Sequence, residues 1–462
     1  MNRVMLMLLC LLSGATLAKP VTLSVPELVN NIKHAHPYIA AMHEQGVQKQ
    51  LMLTQSESVF DPRITQQTSS RVSGYYDGAY AAQQFVQPLQ SMNARLYSEY
   101  RISDGDFPVY EGQYETLSGG EASVGVALSL LRDREIDKDR VSVSNARLAI
   151  SQWQAEFAGN LNETLYKGIS HYLYWLGTAL QVESVTALLD TATSRKKGFE
   201  ERVKQGDLAQ ADLIEFEANL LQQELLLTEL KRELMARQVE LAFYVRDQQG
   251  EMVSAETFTA ALSDIQWPYD VTTSTIMALK NKLSAHPAVL ALREEARMLE
   301  NKQRLADNAL LPKLDIKASV ARDVGSGPAS LDGTEGKLGL SFSYPLGNRS
   351  AKAQASAIKS KRNEFAYKQQ LMQDKVTQAF NKAYRNWQQA TQAASLNQKN
   401  ATLADRLYDM ELKRYNVGDS DMFVLNARES ARIKAQMKKI KADIDVYMAE
   451  LALHYAAADL LL

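Results

Sequence analysis

Residues 285–323 read AHPAVLALREEARMLENKQRLADNALLPKLDIKASVARD. An Ala-His-Pro opening leads into a charged and apolar stretch with helical character. Pro312 stops that stretch, because proline lacks the backbone donor a helix needs and restricts the residue before it. Beyond Pro312 the hydrophobic period changes. Leu314, Ile316, Ala318 and Val320 alternate with Asp315, Lys317, Ser319 and Ala321. Alternation at period two predicts a strand with one apolar and one polar face.

The same order of events occurs 250 positions earlier. Ala35-His36-Pro37 opens a helical stretch that closes at Pro62-Arg63-Ile64. A self-similar order at fixed spacing marks an internal repeat. Both halves then show a second alternating run. In the first half Val124, Val126, Leu128 and Leu130 alternate with small residues; in the second, Leu338, Leu340, Phe342 and Tyr344 do so. Here the offset is 214, so the first half carries an excess of 36 residues between its strands. Within that excess, residues 94–102 place Leu96, Ser98, Tyr100 and Ile102 on one face. The stretch 63–71, Arg-Ile-Thr-Gln-Gln-Thr-Ser-Ser-Arg, has almost no apolar face.

Each second strand runs into a very long helical pattern, 134–204 and 350–416. Each pattern ends in a glycine turn: Arg202-Val203-Lys204-Gln205-Gly206 and Arg414-Tyr415-Asn416-Val417-Gly418. Glycine after a helix takes the left-handed conformation that stops it. Asp207 and Asp419 come next, where a further helix begins and acidic groups are favoured. A helix of about 70 residues is about 100 Å long at 1.5 Å per residue. Such lengths belong to coiled-coil assemblies or elongated tubes rather than to globular domains. The first of the helices after a turn carries a broad apolar face of Leu220, Leu221, Leu225, Leu226, Leu227, Leu230 and Leu234, which reads as helix–helix core.

The expected organisation is a signal peptide at 1–18, a first repeat at 19–246, a connector at 247–273 and a second repeat at 274–462. The first repeat has a helix at 24–58, strands within 62–131, a long helix at 134–204 and a helix at 208–246. The second has a helix at 275–310, strands at 313–323 and 336–345, a long helix at 350–416 and a helix at 420–457. His36-Pro37 and His286-Pro287 read as helix-break positions. Arg3, the apolar run Val4–Leu12 and Thr16-Leu17-Ala18 have the three-part order of an export signal cleaved after Ala18. The only cysteine, Cys10, falls in that segment, which excludes disulfides from the mature chain.

Beyond the leader no run of 18 apolar residues occurs, so any membrane crossing must use a closed barrel. Four core strands cannot close one, since single-chain outer-membrane barrels start at about 8 strands. A barrel would therefore be shared among several chains. The net charge of −2 gives no basic stripe for nucleic acid. No phosphate loop, paired cysteines or nucleophile elbow is present, and no enzyme is expected. His34 and His36 do not face each other on a helix, so no metal site and no cofactor are expected. A periplasmic coiled-coil adaptor or scaffold without a barrel is the competing reading; it leaves the twice-repeated strand pairs unexplained.

Taken in order, these features resemble the TolC-like outer membrane efflux protein family, over about Val21 to Ala457. The resemblance implies a mainly α fold with a small β part. It implies a homotrimer in which each chain gives four strands to one 12-stranded outer-membrane barrel, continued by a long periplasmic α-helical barrel. The connector would join an equatorial belt. The implied role is a passive exit duct for tripartite efflux or type I secretion. Its implied partners are a periplasmic adaptor, a proton-driven or ABC inner-membrane pump reached through it, and outer-membrane lipid. Gly206 and Gly418, with Arg414 and Tyr415, match the periplasmic tips that dock the adaptor. Asp212 matches an acidic aperture position. Val424 stands where an aspartate is often found and Asn426-Ala427 comes one residue early, so Asp419 and Asp421 are further aperture candidates beside Asp207. Each of these four aspartates also reads as a helix cap.

Overall fold

The computed structural model describes residues 21–247, 250–253, 258–259 and 266–460. The export signal and Cys10 lie outside the described residues, as does much of the connector. The described chain forms strand β1 (Val21–Thr22), helices α1 (Val25–Ala35) and α2 (Pro37–Glu57), and strands β2 (Arg63–Ser70), β3 (Ala79–Pro88), β4 (Ala94–Asp104) and β5 (Glu121–Ser129). Helices α3 (Lys138–Gln205) and α4 (Gln210–Ala242), strand β6 (Phe258–Thr259) and helices α5 (Thr273–Lys282) and α6 (Pro287–Asn308) come next. The chain ends with β7 (Lys313–Asp323), β8 (Thr334–Ser343), α7 (Arg349–Asn416) and α8 (Met422–Ala456). Contacts divide it into two compact units. One is drawn from the segments up to Ala41, Gly159–Leu283 and Val376 onward; the other from Met42–Ala158 and Ser284–Lys375. Helices α3 and α7, each 68 residues long, contribute to both.

The unit containing the sheet holds a correction. Four strands are expected per chain; six pair in one antiparallel sheet in the order β2-β3-β4-β5-β7-β8. The excess in the first half is the reason. It supplies two further strands, β3 and β4, each paired on both sides over most of its length. Strand β2, polar apart from Ile64, is still a strand because β3 pairs with its backbone on one side over Arg63–Ser70. Register places Val320, Val124, Ser98, Phe85 and Ile64 in one row across five strands.

The two faces differ chemically. One carries Leu338, Leu340 and Phe342 on β8, Val320 on β7 and Val124 on β5, each more than half exposed. The other carries Asp315, which accepts from Ser129 Oγ at 2.8 Å, and Arg101, which pairs with Glu121 at 2.9 Å. No described helix is long and apolar enough to cross a membrane.

Both His-Pro sequences interrupt helices. The expected single helix at 24–58 is two, α1 and α2, separated at His36; the one at 275–310 is α5 and α6, separated around His286. In each, the histidine Nδ1 accepts from the backbone N–H two residues on, Tyr38 at 3.3 Å and Ala288 at 3.2 Å. Proline then opens the helix at the position where its missing donor costs nothing. Burial lowers the pKa of both rings, aided at His36 by Arg246. Of the connector, Arg246 bridges Met252 and β6 pairs with β1 in parallel. Trp267 Nε1 donates to the buried Glu450 at 2.7 Å.

Candidate functional site: the two glycine turns

Both turns lie in the unit without the six-stranded sheet, and they share one backbone solution. Gly206 and Gly418 each have φ of 79°, the left-handed region that favours glycine. The Gly206 amide donates to the Val203 carbonyl at 3.1 Å, and the Asp207 amide to Arg202 at 2.9 Å. The second turn repeats this: Gly418 to Tyr415 at 3.1 Å and Asp419 to Arg414 at 2.9 Å. This pair of bonds is the Schellman ending of a helix. The glycine-for-stop logic of the sequence is therefore met twice in identical form.

Helix ends pack tightly below the turns. Phe199 of α3, Phe216 and Leu220 of α4, Tyr408 and Tyr415 of α7, and Met422 and Leu425 of α8 form one buried cluster. The Tyr415 ring meets Phe199 edge-on at 5.8 Å, and Arg202 lies over it at 5.7 Å. Burial raises the Tyr415 pKa, so the phenol stays neutral. Tyr415 is thus buried beneath its turn.

The four candidate aspartates part company here. Asp421 is the N-cap of α8, its Oδ1 accepting from the Val424 amide at 2.8 Å. Asp419 accepts from Arg414 Nε at 3.0 Å, while the Arg414 guanidinium also bonds the Asp419 carbonyl at 2.9 Å and reaches Glu411 at 3.3 Å. Asp207 is exposed and Asp212 half-buried, and neither side chain has a hydrogen-bond or ion-pair partner among the described residues. The α4 N-cap is Ala209, with no side-chain cap bond, so neither aspartate caps that helix. Asp212 lies in its first turn, where the helix dipole favours a negative charge.

Sequence reading missed a buried polar network joining three helices. Glu429 of α8, 5% exposed, pairs with Arg195 of α3. It accepts from Asn219 Nδ2 at 3.1 Å and Gln223 Nε2 at 3.3 Å, both on α4. Asn426 accepts from Asn219 at 3.4 Å, so it faces α4. Arg195 and Arg432 both lie over the Tyr408 ring, at 5.8 and 4.8 Å. Arg432 pairs with Asp405 of α7 at 2.7 Å. The only signal was a scatter of polar residues on an apolar stripe, which single-helix periodicity cannot match to partners.

The apolar stripe of α4 is only half used. Leu220, Leu227 and Leu230 are buried, but Leu221 and Leu225 are 56% and 58% exposed. Phe423 on α8 and Leu403 on α7 are likewise exposed.

No family model matches the chain. A stretch of 184 residues is 26% identical to the outer membrane efflux protein BepC of Brucella suis; it spans 39% of this chain and only 40% of that relative's length. Two solved structures cover far more. The outer-membrane channel OprN matches with a TM-score of 0.66 at 14% identity, over 94% of this chain and 90% of its own. The outer membrane protein VceC of Vibrio cholerae matches with a TM-score of 0.65 at 12% identity, over 94% and 96%. The fold is that of the TolC-like outer-membrane channels.

Proposed function

We propose that this chain is the subunit of a passive outer-membrane exit duct, working in a tripartite efflux or type I secretion system. The observation that carries this reading is the sheet. Its exposed apolar face and its charged opposite face are what a barrel wall needs between lipid and water. The same sheet leads into both 68-residue helices. A scaffold without a barrel has no use for an exposed row such as Leu338, Leu340 and Phe342.

The assembly is a homotrimer. Its sheets share one barrel in the outer membrane, and its long helices extend through the periplasm. Exposed Leu221, Leu225, Leu403 and Phe423 on the helices below the turns are covered by neighbouring copies. The export signal at 1–18 delivers the chain, and the connector joins a belt around the helices. The glycine turns at Gly206 and Gly418 face an adaptor, which links the duct to a proton-driven or ABC pump in the inner membrane. No reaction is catalysed and no cofactor is required.

Three-fold symmetry brings copies of one aspartate together, concentrating negative charge at the entrance and attracting cations. Asp212, with Asp207 beside it, supplies that ring, because both carboxylates are uncommitted within the chain. Asp419 and Asp421 are held by Arg414 and by the α8 N-terminus, and contribute less.

The test is outer-membrane fractionation followed by bilayer recording of the purified protein. A trimeric outer-membrane species with conductance blocked by divalent cations is expected. Asp207→Ala with Asp212→Ala should abolish the block, and Asp419→Ala should leave most of it. A soluble periplasmic monomer would sink the channel. Unchanged block in the double variant would sink the aspartate assignment alone.

A further inference from the structure

The repeat makes a quantitative comparison possible within one sheet. By the offset of 250, β2 is the counterpart of β7; by the offset of 214, β5 is the counterpart of β8. Strands β7 and β8 pair directly, with Leu314 opposite Phe342. Their counterparts do not. Between β2 and β5 stand β3 and β4, and every intervening ladder is complete.

The additional strands carry the marks of wall rather than loop. Phe85, Leu96 and Ile102 lie on the face that carries Val124 and Val320, and each is at least 40% exposed. Glu99 and Arg101 lie on the other face, where Arg101 pairs with Glu121 of β5 and Gln84 of β3 donates to Glu99 at 3.1 Å. Gln66 and Gln83, polar on the apolar face, stand directly opposite one another. The turn between β3 and β4 has no helix continuing from it. It is held instead at the helix end of the sheet. Arg140 of α3 donates through Nε to the Gln90 carbonyl at 2.9 Å and through its other nitrogens to Leu89 at 2.6 Å and to Asp137. The Asn93 amide bonds the Arg134 carbonyl at 3.4 Å.

The two edge strands, β2 and β8, are exposed at every residue. Six strands is an even number, so β8 of one copy meets β2 of the next antiparallel, as every internal pair does. The repeat also sets the register of that seam. Strand β5 pairs with β7 through Leu128 opposite Ile316. Moving both partners by their offsets places Phe342 of one copy opposite Gln66 of the next, and hence Ser341 opposite Gln67.

We infer that the barrel wall takes six strands from each copy, so that a trimer closes with eighteen strands rather than twelve and a correspondingly wider outer pore. This rests on the trimeric channel reading above. Barrel diameter grows roughly linearly with strand number, so the wall should be about 1.5-fold wider than a twelve-stranded one.

The full-length protein, purified from outer membranes in a Cys10→Ser background, tests both layers separately. Gln67→Cys with Ser341→Cys reports the seam. Oxidation should yield covalently linked trimers on non-reducing gels; monomers only would overturn the shared barrel itself. Thr65→Cys with Ala127→Cys reports direct β2–β5 contact, the arrangement of a twelve-stranded wall. No link should form there, whereas Gln67→Cys with Ala82→Cys and Glu99→Cys with Ser123→Cys should close within a chain. End-on electron cryo-microscopy averages in nanodiscs should show the 1.5-fold wider ring. A seam link together with a Thr65–Ala127 link, or a ring of twelve-strand width, would overturn the eighteen-stranded wall and leave the channel standing.

Discussion

The two glycine turns have the same backbone and different electrostatics. Gly206 and Gly418 share φ and the same two capping bonds. In the second turn Arg414 gathers Asp419 and Glu411. In the first, the equivalent Arg202 lies over the Tyr415 ring, and Asp207 is left unpaired. The backbone motif is fixed by local chemistry that both sequences satisfy. The charge arrangement depends on which side chain the neighbouring helix presents. Duplication thus preserves the turn while its surroundings differ, one end held by its own ion pairs and the other with an unpaired carboxylate.

The largest way to break this comparison is to remove what holds the two helical hairpins together below the turns. Arg195→Leu leaves the buried Glu429 carboxylate uncompensated, and losing one partner of a buried pair costs about 3–5 kcal/mol. The thermal midpoint should fall well below that of the parent protein. An unchanged midpoint would mean that the network does not tie α3 to α8.

Next in size are the glycines. A Cβ at Gly206 or Gly418 meets no atom within 4 Å, so the cost is conformational only. About 1–2 kcal/mol is expected for each alanine variant, and the two should be equal. Denaturant midpoints check this, and unequal losses would show that the turns are not equivalent.

A smaller difference separates the aspartates. Asp421→Ala removes an N-cap and should cost about 1 kcal/mol. Asp207→Ala removes no bond and should lie within about 0.5 kcal/mol of the parent. Equal losses in chemical unfolding would erase the distinction between a structural and an uncommitted carboxylate.

The smallest effect is a pH slope. Folding lowers the pKa of His36 and His286, so it favours the neutral rings whose Nδ1 atoms accept backbone bonds. That contribution is complete above the ordinary histidine value of 6.5 and is lost as pH falls below it. The thermal midpoint should decline from about pH 7 to 5, and less steeply in His36→Asn with His286→Asn, since asparagine also accepts at a helix start. Parallel slopes would remove the histidines from the account.

Much of this was legible in the chain. The Ala-His-Pro openings, the proline-led strands and the arginine-to-glycine turns each have a local cause, and they recur in order. The wall was less legible. Residues 63–70 have no apolar alternation, and what makes them a strand is a partner's backbone, which periodicity does not see. The four aspartates looked alike because each lies near a helix start. Only Arg414 and the Val424 amide separate them.

The sequence by itself determined the repeat, the helix lengths and the glycine stops, because these arise from steric limits on single residues and from periods within one segment. Tertiary structure decided the strand count, the Glu429 network and which carboxylates remain free, because each depends on atoms brought together from segments tens to hundreds of residues apart.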